Sequence, residues 1–376
     1  MITEEQLTQL KACNGDAPIL SAYVNIPPGL QPERAYITTF KALAQEMRDR
    51  LTEPQRELFE AEANAVQSWL EREHPEGRAA VAFCCQATGL WQATFLPFPV
   101  TDHVAFEERP HLAPLLDLFD EHERYGVVIV DKEQSRFLAI RLGEIEWDQR
   151  IQGDIEEPDA NNTWDDGKYD QQYEAHVQQH LKRVANRLDK FHARRPFERL
   201  FLGGPVAAVS GLKALLSQPL ATRLAGTFNV DIDMSPSEVL ARTMPLAEQA
   251  ERADEEQIVA AVFDRAGPSG RAIFGVSDTL RAVWNAAVET LVVVDGLQLS
   301  GGECANCGRL EAGEAVVCPV CQGEIHPVAD VIAWAITHTL QQAGNVEIVH
   351  GDPAARLQEQ GEGMGALLRF SQTGLA

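Results

Sequence analysis

Residues Cys304, Cys307, Cys318 and Cys321 stand in a C-x2-C-x10-C-x2-C array, ANCG followed by CPVC, and no other feature constrains the fold as tightly. Two short chelating turns at this separation suit tetrahedral zinc. Gly308 beside the first pair, and Pro319 and Gly323 around the second, let backbone amides point at the sulfurs while both pairs face one ion. Four protein ligands leave no open position for water, so the array predicts a closed, structural Zn2+ site that folds the chain locally and does no catalysis. Disulfides or unmetallated thiols are the alternative.

The chain has 376 residues and is 45% hydrophobic, enough for two or three packed domains. It holds no run of about 18 uncharged apolar residues, the length a membrane span needs. The N-terminal MITEEQLTQLKACNGD carries acidic residues where a signal peptide carries basic and apolar ones, so a cytoplasmic protein without membrane attachment is expected. Outside the array only Cys13, Cys84 and Cys85 remain, which reads as reduced thiols rather than a secreted disulfide framework. The net charge of -24 argues against a diffuse positive coat for nucleic acid, and any RNA contact must be local.

Along the chain the pattern falls into three α/β blocks, read as domains 1–122, 123–242 and 243–376. The first has an apolar-alternating ILSAYVNI, a long helical pattern from Glu33 to about Glu73, and the strand-like AAVAFCC and WQATFLPF. The second opens on YGVVIVD, SRFLAIRLGE and EIEWDQRI, a meander of three strands. A polar, acidic loop over 153–168 and a helix from about Tyr169 to His192 follow. The strand RLFLGGP, the helix AVSGLKALLS and the strand GTFNVDIDM complete a domain with a mixed sheet. In the third block a charged helix precedes TLRAVWNAAV, the strand TLVVVDG, the cysteine module, a helix from Val328, NVEIVHG and GALLRF. That alternation predicts an α/β/α sandwich with a zinc-ribbon-like insert at 301–325.

On a helical wheel Leu181, Val184, Leu188 and Phe191 fall within about 40 degrees of Val177, a buried stripe. His176, His180, Arg183, Arg187, Lys190 and Arg194 share an arc of roughly 80 degrees beside it, and Arg195 and Arg199 extend the patch. A solvated helix face paired with nearby carboxylates is the bland account. A single-signed row beside an exposed loop also suits a phosphate backbone, with guanidinium forks and point charges along one edge.

The order of elements resembles the archaeo-eukaryotic peptide-chain release factors and their Pelota relatives, in the bacterial branch of that family. AAVETLVVVDGLQLS, ANCG, CPVC, the helix from Val328 and GMGALLRF look like the C-terminal domain of the archaeal release factors. YGVVIVDKEQSRFLAIRLGEIEWDQRI, the polar loop and HLKRVANRL look like the family's central domain. The first block resembles only the shorter N-terminal domain of the bacterial relatives.

This resemblance implies binding in the ribosomal A site, with the central domain reaching the peptidyl-transferase centre. Family release factors carry Gly-Gly-Gln in the loop before the long helix, where the glycines adopt unusual backbone angles and the motif places water against the peptidyl-tRNA ester. No Gly-Gly-Gln occurs in this chain, and the matching position falls in Trp164-Asp165-Asp166-Gly167. Two carboxylates would be repelled near a phosphate-rich centre, and Trp cannot take the glycine angles cheaply. The Asn-Ile-Lys-Ser decoding motif is missing too, since Asn25-Ile26 runs into Pro27-Pro28.

Other catalytic templates are weak, for Gly203-Gly204-Pro205 lacks the Lys-Ser/Thr ending of a phosphate loop and no G-x-S-x-G elbow is present. The expectation is a non-enzymatic, ribosome-associated translation factor, acting in stalled-ribosome rescue or ribosome hibernation. Its expected partners are rRNA in the A site, tRNA, and a translational GTPase such as EF-Tu. Candidate RNA-binding residues are Trp164, His176, His180, Arg183, Arg187, Lys190, Arg194 and Arg195; the Trp164 ring either stacks on a base or packs on the domain's own surface. The alternative is a peptidyl-tRNA or RNA hydrolase that uses the divergent loop.

Overall fold

The computed structural model describes residues 4–13, 17–27, 34–75, 77–121, 123–141, 143–152, 166–267 and 270–371. Two compact units emerge, Met1–Asp120 with Asp254–Ala376, and Glu121–Ala253.

The first unit begins with α1 (Glu4–Lys11), β1 (Ile19–Asn25), α2 (Ala35–Arg50), α3 (Glu53–Arg72), β2 (Ala79–Cys85), β3 (Leu90–Leu96), β4 (His103–Glu107) and α4 (Ala113–Glu121). Its strands form an antiparallel sheet in the order β3-β2-β1-β4. Phe40, Phe59, Val66 and Trp69 of the helices pack on Leu20, Ala22, Ala80 and Ala82. The long helical pattern from Glu33 is two helices. Leu51 leaves the helical region, the Thr52 backbone N–H donates to Gln55 Oε1 at 3.1 Å, and Pro54 stands in the first turn of α3. Pro54 has no N–H to donate back to α2, which a continuous helix would require, but it fits the first turn of a new helix capped by Thr52, so the chain breaks between the two.

The second unit holds β5 (Tyr125–Val130), β6 (Gln134–Arg141), β7 (Glu144–Gln152), α5 (Asp166–Arg194), β8 (Arg199–Gly203), α6 (Val206–Lys213), α7 (Gln218–Ala221), β9 (Leu224–Phe228) and the start of α8 (Pro236–Asp264). The sheet runs β7-β6-β5-β8-β9, antiparallel through the meander and parallel from β5 to β9. Period-two alternation divides β5 between two cores: Val128 and Val130 pack with α5 and α6, while Val127 and Ile129 face Val230, Ile232 and Val239. The last strand is shorter than GTFNVDIDM suggested. Asp231 Oδ1 accepts the backbone N–H of Asp233 at 3.1 Å, a local bond that competes with the ladder.

The remainder of the first unit contains the end of α8, β10 (Ala272–Phe274), α9 (Val276–Trp284), β11 (Val288–Val294), β12 (Gly301–Cys304), β13 (Leu310–Ala312), β14 (Ile325–Val328), α10 (Val331–Gln341), β15 (Asn345–Val349), α11 (Gly351–Gly361) and β16 (Met364–Leu368). The main sheet is ordered β10-β16-β11-β15. Leu291 and Val293 pack beneath α9 and α10, whereas Val292 and Val294 meet α8 and α11, so this is the expected α/β/α sandwich. Helix α11 was not expected. The insert forms its own small sheet, β13-β12-β14. No described helix is long and apolar enough to cross a membrane.

Candidate nucleic-acid interface and metal centre

Helix α5 buries the stripe its periodicity predicted: Leu181, Val184, Leu188 and Phe191 are buried and Val177 is half-buried against the same core. Beside that stripe His176, Arg187, Lys190, Arg194 and Arg195 are exposed, and Arg183 is half-buried. The exposed cations of the helix end therefore form one positive edge in a chain of net charge -24. His180 does not join it. The ring is 3% exposed, with Nε2 3.2 Å from the Gln134 carbonyl at the start of β6. Burial holds this imidazole below its ordinary pKa, the Gln134 carbonyl acting in the opposite direction, so at neutral pH the ring is an uncharged donor inside the domain. An isolated wheel cannot register a neighbouring strand that covers one residue of an exposed arc. Trp164 and most of the 153–168 loop lie outside the described residues.

A groove that helical and strand periodicity did not reveal lies between this positive edge and the edge strand β7. Phe137, Trp147, Gln149, Arg150, Ile151, Arg187, Lys190, Phe191, Arg194 and Arg195 line about 730 Å³ of space. Its floor is aromatic, with the Trp147 and Phe191 rings stacked at 4.8 Å and 26°. The Arg195 guanidinium sits 5.6 Å above the Trp147 ring, a cation–π arrangement. Arg150 pairs with Asp233 at 2.6 Å. The period-two alternation of EIEWDQRI, which puts Trp147, Gln149 and Ile151 on one face, was the signal available in sequence.

Gly203-Gly204-Pro205 is a strand-to-helix turn. Gly204 has φ +134°, and a Cβ there would lie 2.0 Å from the Val130 carbonyl oxygen. Its N–H donates to the Phe228 carbonyl at 3.1 Å, so the turn's amide serves the sheet.

In the insert the four cysteine sulfurs lie within 4.8 Å of one another. The two cysteine pairs are built alike. Gly308 N–H donates to Cys304 O at 2.9 Å and Gln322 N–H to Cys318 O at 3.0 Å, both donors at positive φ. Cys304 N–H donates to Arg309 O and Cys318 N–H to Gly323 O, each at 2.9 Å. Sulfur separations of 3.4 Å (Cys304–Cys321), 3.5 Å (Cys307–Cys321) and 3.7 Å (Cys307–Cys318) compare with about 3.8 Å between thiolates placed tetrahedrally around zinc at ~2.3 Å. The backbone N–H of Gly323, then the Asn306 side chain and Cys304, draw the Cys321 thiol down to about 6, favouring the thiolate a metal binds. A Cβ on Gly323 would lie 2.9 Å from Asn306 Cβ and 3.2 Å from the sulfurs of both Cys304 and Cys321, so a side chain there would displace the donor set. The donor set and its spacing fit a tetrahedral metal with no position left for water.

Two family models match the chain in succession, bacterial archaeo-eukaryotic release factor family 10 over residues 110–248 and eRF1 domain 3 over residues 252–372. The chain belongs to the bacterial branch of the archaeo-eukaryotic release factor family. The family assignment covers both the central domain with α5 and the sandwich with its cysteine insert. Among solved structures, the chain is similar to Archaeoglobus fulgidus Pelota (15% identity, 78% of this chain and 79% of that one, TM-score 0.34). S. cerevisiae Dom34, a translation termination-like factor, gives 8% identity over 79% of this chain and 82% of that one, with a TM-score of 0.42. The archaeal translation termination factor aRF1 gives 16% identity over 97% and 96%, with a TM-score of 0.27. No curated protein sequence matches the chain.

Proposed function

We propose that this release-factor-like protein is a ribosome-binding translation factor that occupies the A site, in rescue of stalled ribosomes or in ribosome hibernation, without hydrolysing the peptidyl-tRNA ester. The observation that carries the reading is the positive edge of α5: Arg187, Lys190 and Arg194 stand exposed and of one sign in an acidic chain. Such a row tracks phosphates and leaves the rest of the surface to repel nucleic acid, so binding is local and sensitive to salt. The lack of release activity rests on the sequence, where Trp164-Asp165-Asp166-Gly167 stands in place of Gly-Gly-Gln. Zn2+ held by Cys304, Cys307, Cys318 and Cys321 serves only the fold of the insert. A translational GTPase of the EF-Tu type and tRNA are the further partners this reading proposes. Co-sedimentation with ribosomes across a salt series tests the binding, and a peptidyl-tRNA cleavage assay, expected to show no turnover, tests the absence of chemistry.

A further inference from the structure

We propose that the groove between β7 and α5 takes an unpaired RNA base, stacked on Trp147, with the adjoining phosphates on Arg187, Lys190 and Arg194; this rests on the RNA-binding reading and specifies which RNA feature the surface accepts. Three properties of the groove point there. The floor is a rigid flat stack, since Trp147 lies on Phe191 at 4.8 Å and Phe191 is itself 7% exposed in the core. The rim is cationic on its α5 side, where Arg187, Lys190, Arg194 and Arg195 are all exposed. Gln149 is exposed on the β7 side, and its amide offers both a donor and an acceptor to the edge of a base.

A duplex backbone needs the rim alone, whereas aromatic floor and cationic rim together suit single-stranded RNA, whose splayed bases stack on aromatic side chains. Arg195 now lies 5.6 Å from the Trp147 ring. A base between two flat groups needs about 7 Å, twice a van der Waals contact of ~3.5 Å, so Arg195 must move outwards. Its backbone N–H donates to the Phe191 carbonyl at 2.9 Å, one residue beyond the end of α5, but its side chain is exposed and can swing outwards without disturbing the core. After the movement its guanidinium covers the base from above, which arginine does as readily as an aromatic ring.

The test uses the full-length protein, a short fluorescein-labelled oligouridylate, and a blunt RNA duplex of equal length, with binding read by anisotropy at low salt. Trp147→Leu keeps an apolar filler over Phe191 and removes the π-face, and Trp147→Phe keeps the face. The expected result is preference for the single strand, a loss of about tenfold for Trp147→Leu, and retention within about threefold for Trp147→Phe, at unaltered thermal midpoints. Trp147→Leu should leave the salt slope unchanged, whereas Lys190→Gln lowers it by about 1. Equal binding of duplex and single strand, wild-type affinity in Trp147→Leu, no binding of the oligouridylate, or equal displacement by polyglutamate would each overturn the base site. Ribosome co-sedimentation is read separately with the same variants: if it persists after any of those results, the base site fails and the ribosome reading stands. If salt-sensitive co-sedimentation is absent, the ribosome reading fails whatever the oligonucleotide does.

Discussion

The indole Nε1–H of Trp334 in α10 donates to Oε2 of Glu107 at the end of β4, at 3.1 Å, joining the N-terminal sheet to the sandwich inside one compact unit. Burial pushes the Glu107 carboxyl up to about 7, the Trp334 bond acting against it and Asp330 adding to it. From about pH 4.5 to 7 the folded chain holds a proton that the unfolded chain has released, so this group's contribution to stability falls as pH rises through that window. Glu107→Gln keeps an acceptor for Trp334 and no longer titrates. It is expected to raise stability at pH 8 by on the order of 1–2 kcal/mol and to change little at pH 5, measured by thermal or urea unfolding. Equal effects at the two pH values would contradict it.

Histidines pull the other way. Burial lowers His111 to about 3 and His338 to about 4, with the neighbouring His103 and Arg109 respectively adding to the effect, and burial also lowers His103 and His180. The unfolded chain protonates these rings below about pH 6.5 while the folded chain does not, so stability drops as pH falls below that value. Unfolding midpoints from pH 7.5 to 5.5 should fall, and more shallowly in His111→Gln than in the parent chain.

Removal of the proposed zinc is expected to unfold the insert alone. Hydrogen exchange after chelation should accelerate over 301–325 while β11, β15 and β16 stay protected, because the apolar core of those strands draws on the insert mainly through Leu310 and Ala312 and on α9 and α10 for the rest, whereas Cys304, Cys318 and Ile325 form the insert's own small cluster. Cys318→Ser should reproduce that pattern. Gly323→Ala, which brings a methyl to 3.2 Å from two sulfurs, should bind zinc more weakly with the cysteines intact.

Gly204→Ala tests the turn after β8. Its backbone lies at φ +134° and its Cβ would meet the Val130 carbonyl oxygen at 2.0 Å. The substitution should cost at least about 2 kcal/mol, read from urea midpoints.

What the sequence disclosed tracks the range of the interactions involved. The cysteine spacing and the stripe from Val177 to Phe191 are local patterns, and both reappear in the structure. The break at Thr52 was also local, written in Pro54, yet the apolar periodicity on either side masked it. Helix α11 escaped because GDPAARLQEQG offers only Ala354 and Leu357 as buried apolar side chains, too few to show a period. Alternation set Trp147 on one face of β7, but neither its groove nor the burial of His180 could be read from sequence. The burial of His180 depends on β6 lying over α5, and the groove floor at Trp147 depends on β7 meeting the end of that helix.

Ribosome binding through the positive edge of α5 is measured most directly by co-sedimentation of the purified protein with vacant and with stalled ribosomes across a salt series, comparing the parent chain with a charge-reversed Arg187→Glu, Lys190→Glu, Arg194→Glu variant. Association is expected to fall steeply with salt and to be lost in the variant at unchanged thermal stability. Association by the variant that equals the parent's at every salt concentration would contradict binding through that edge.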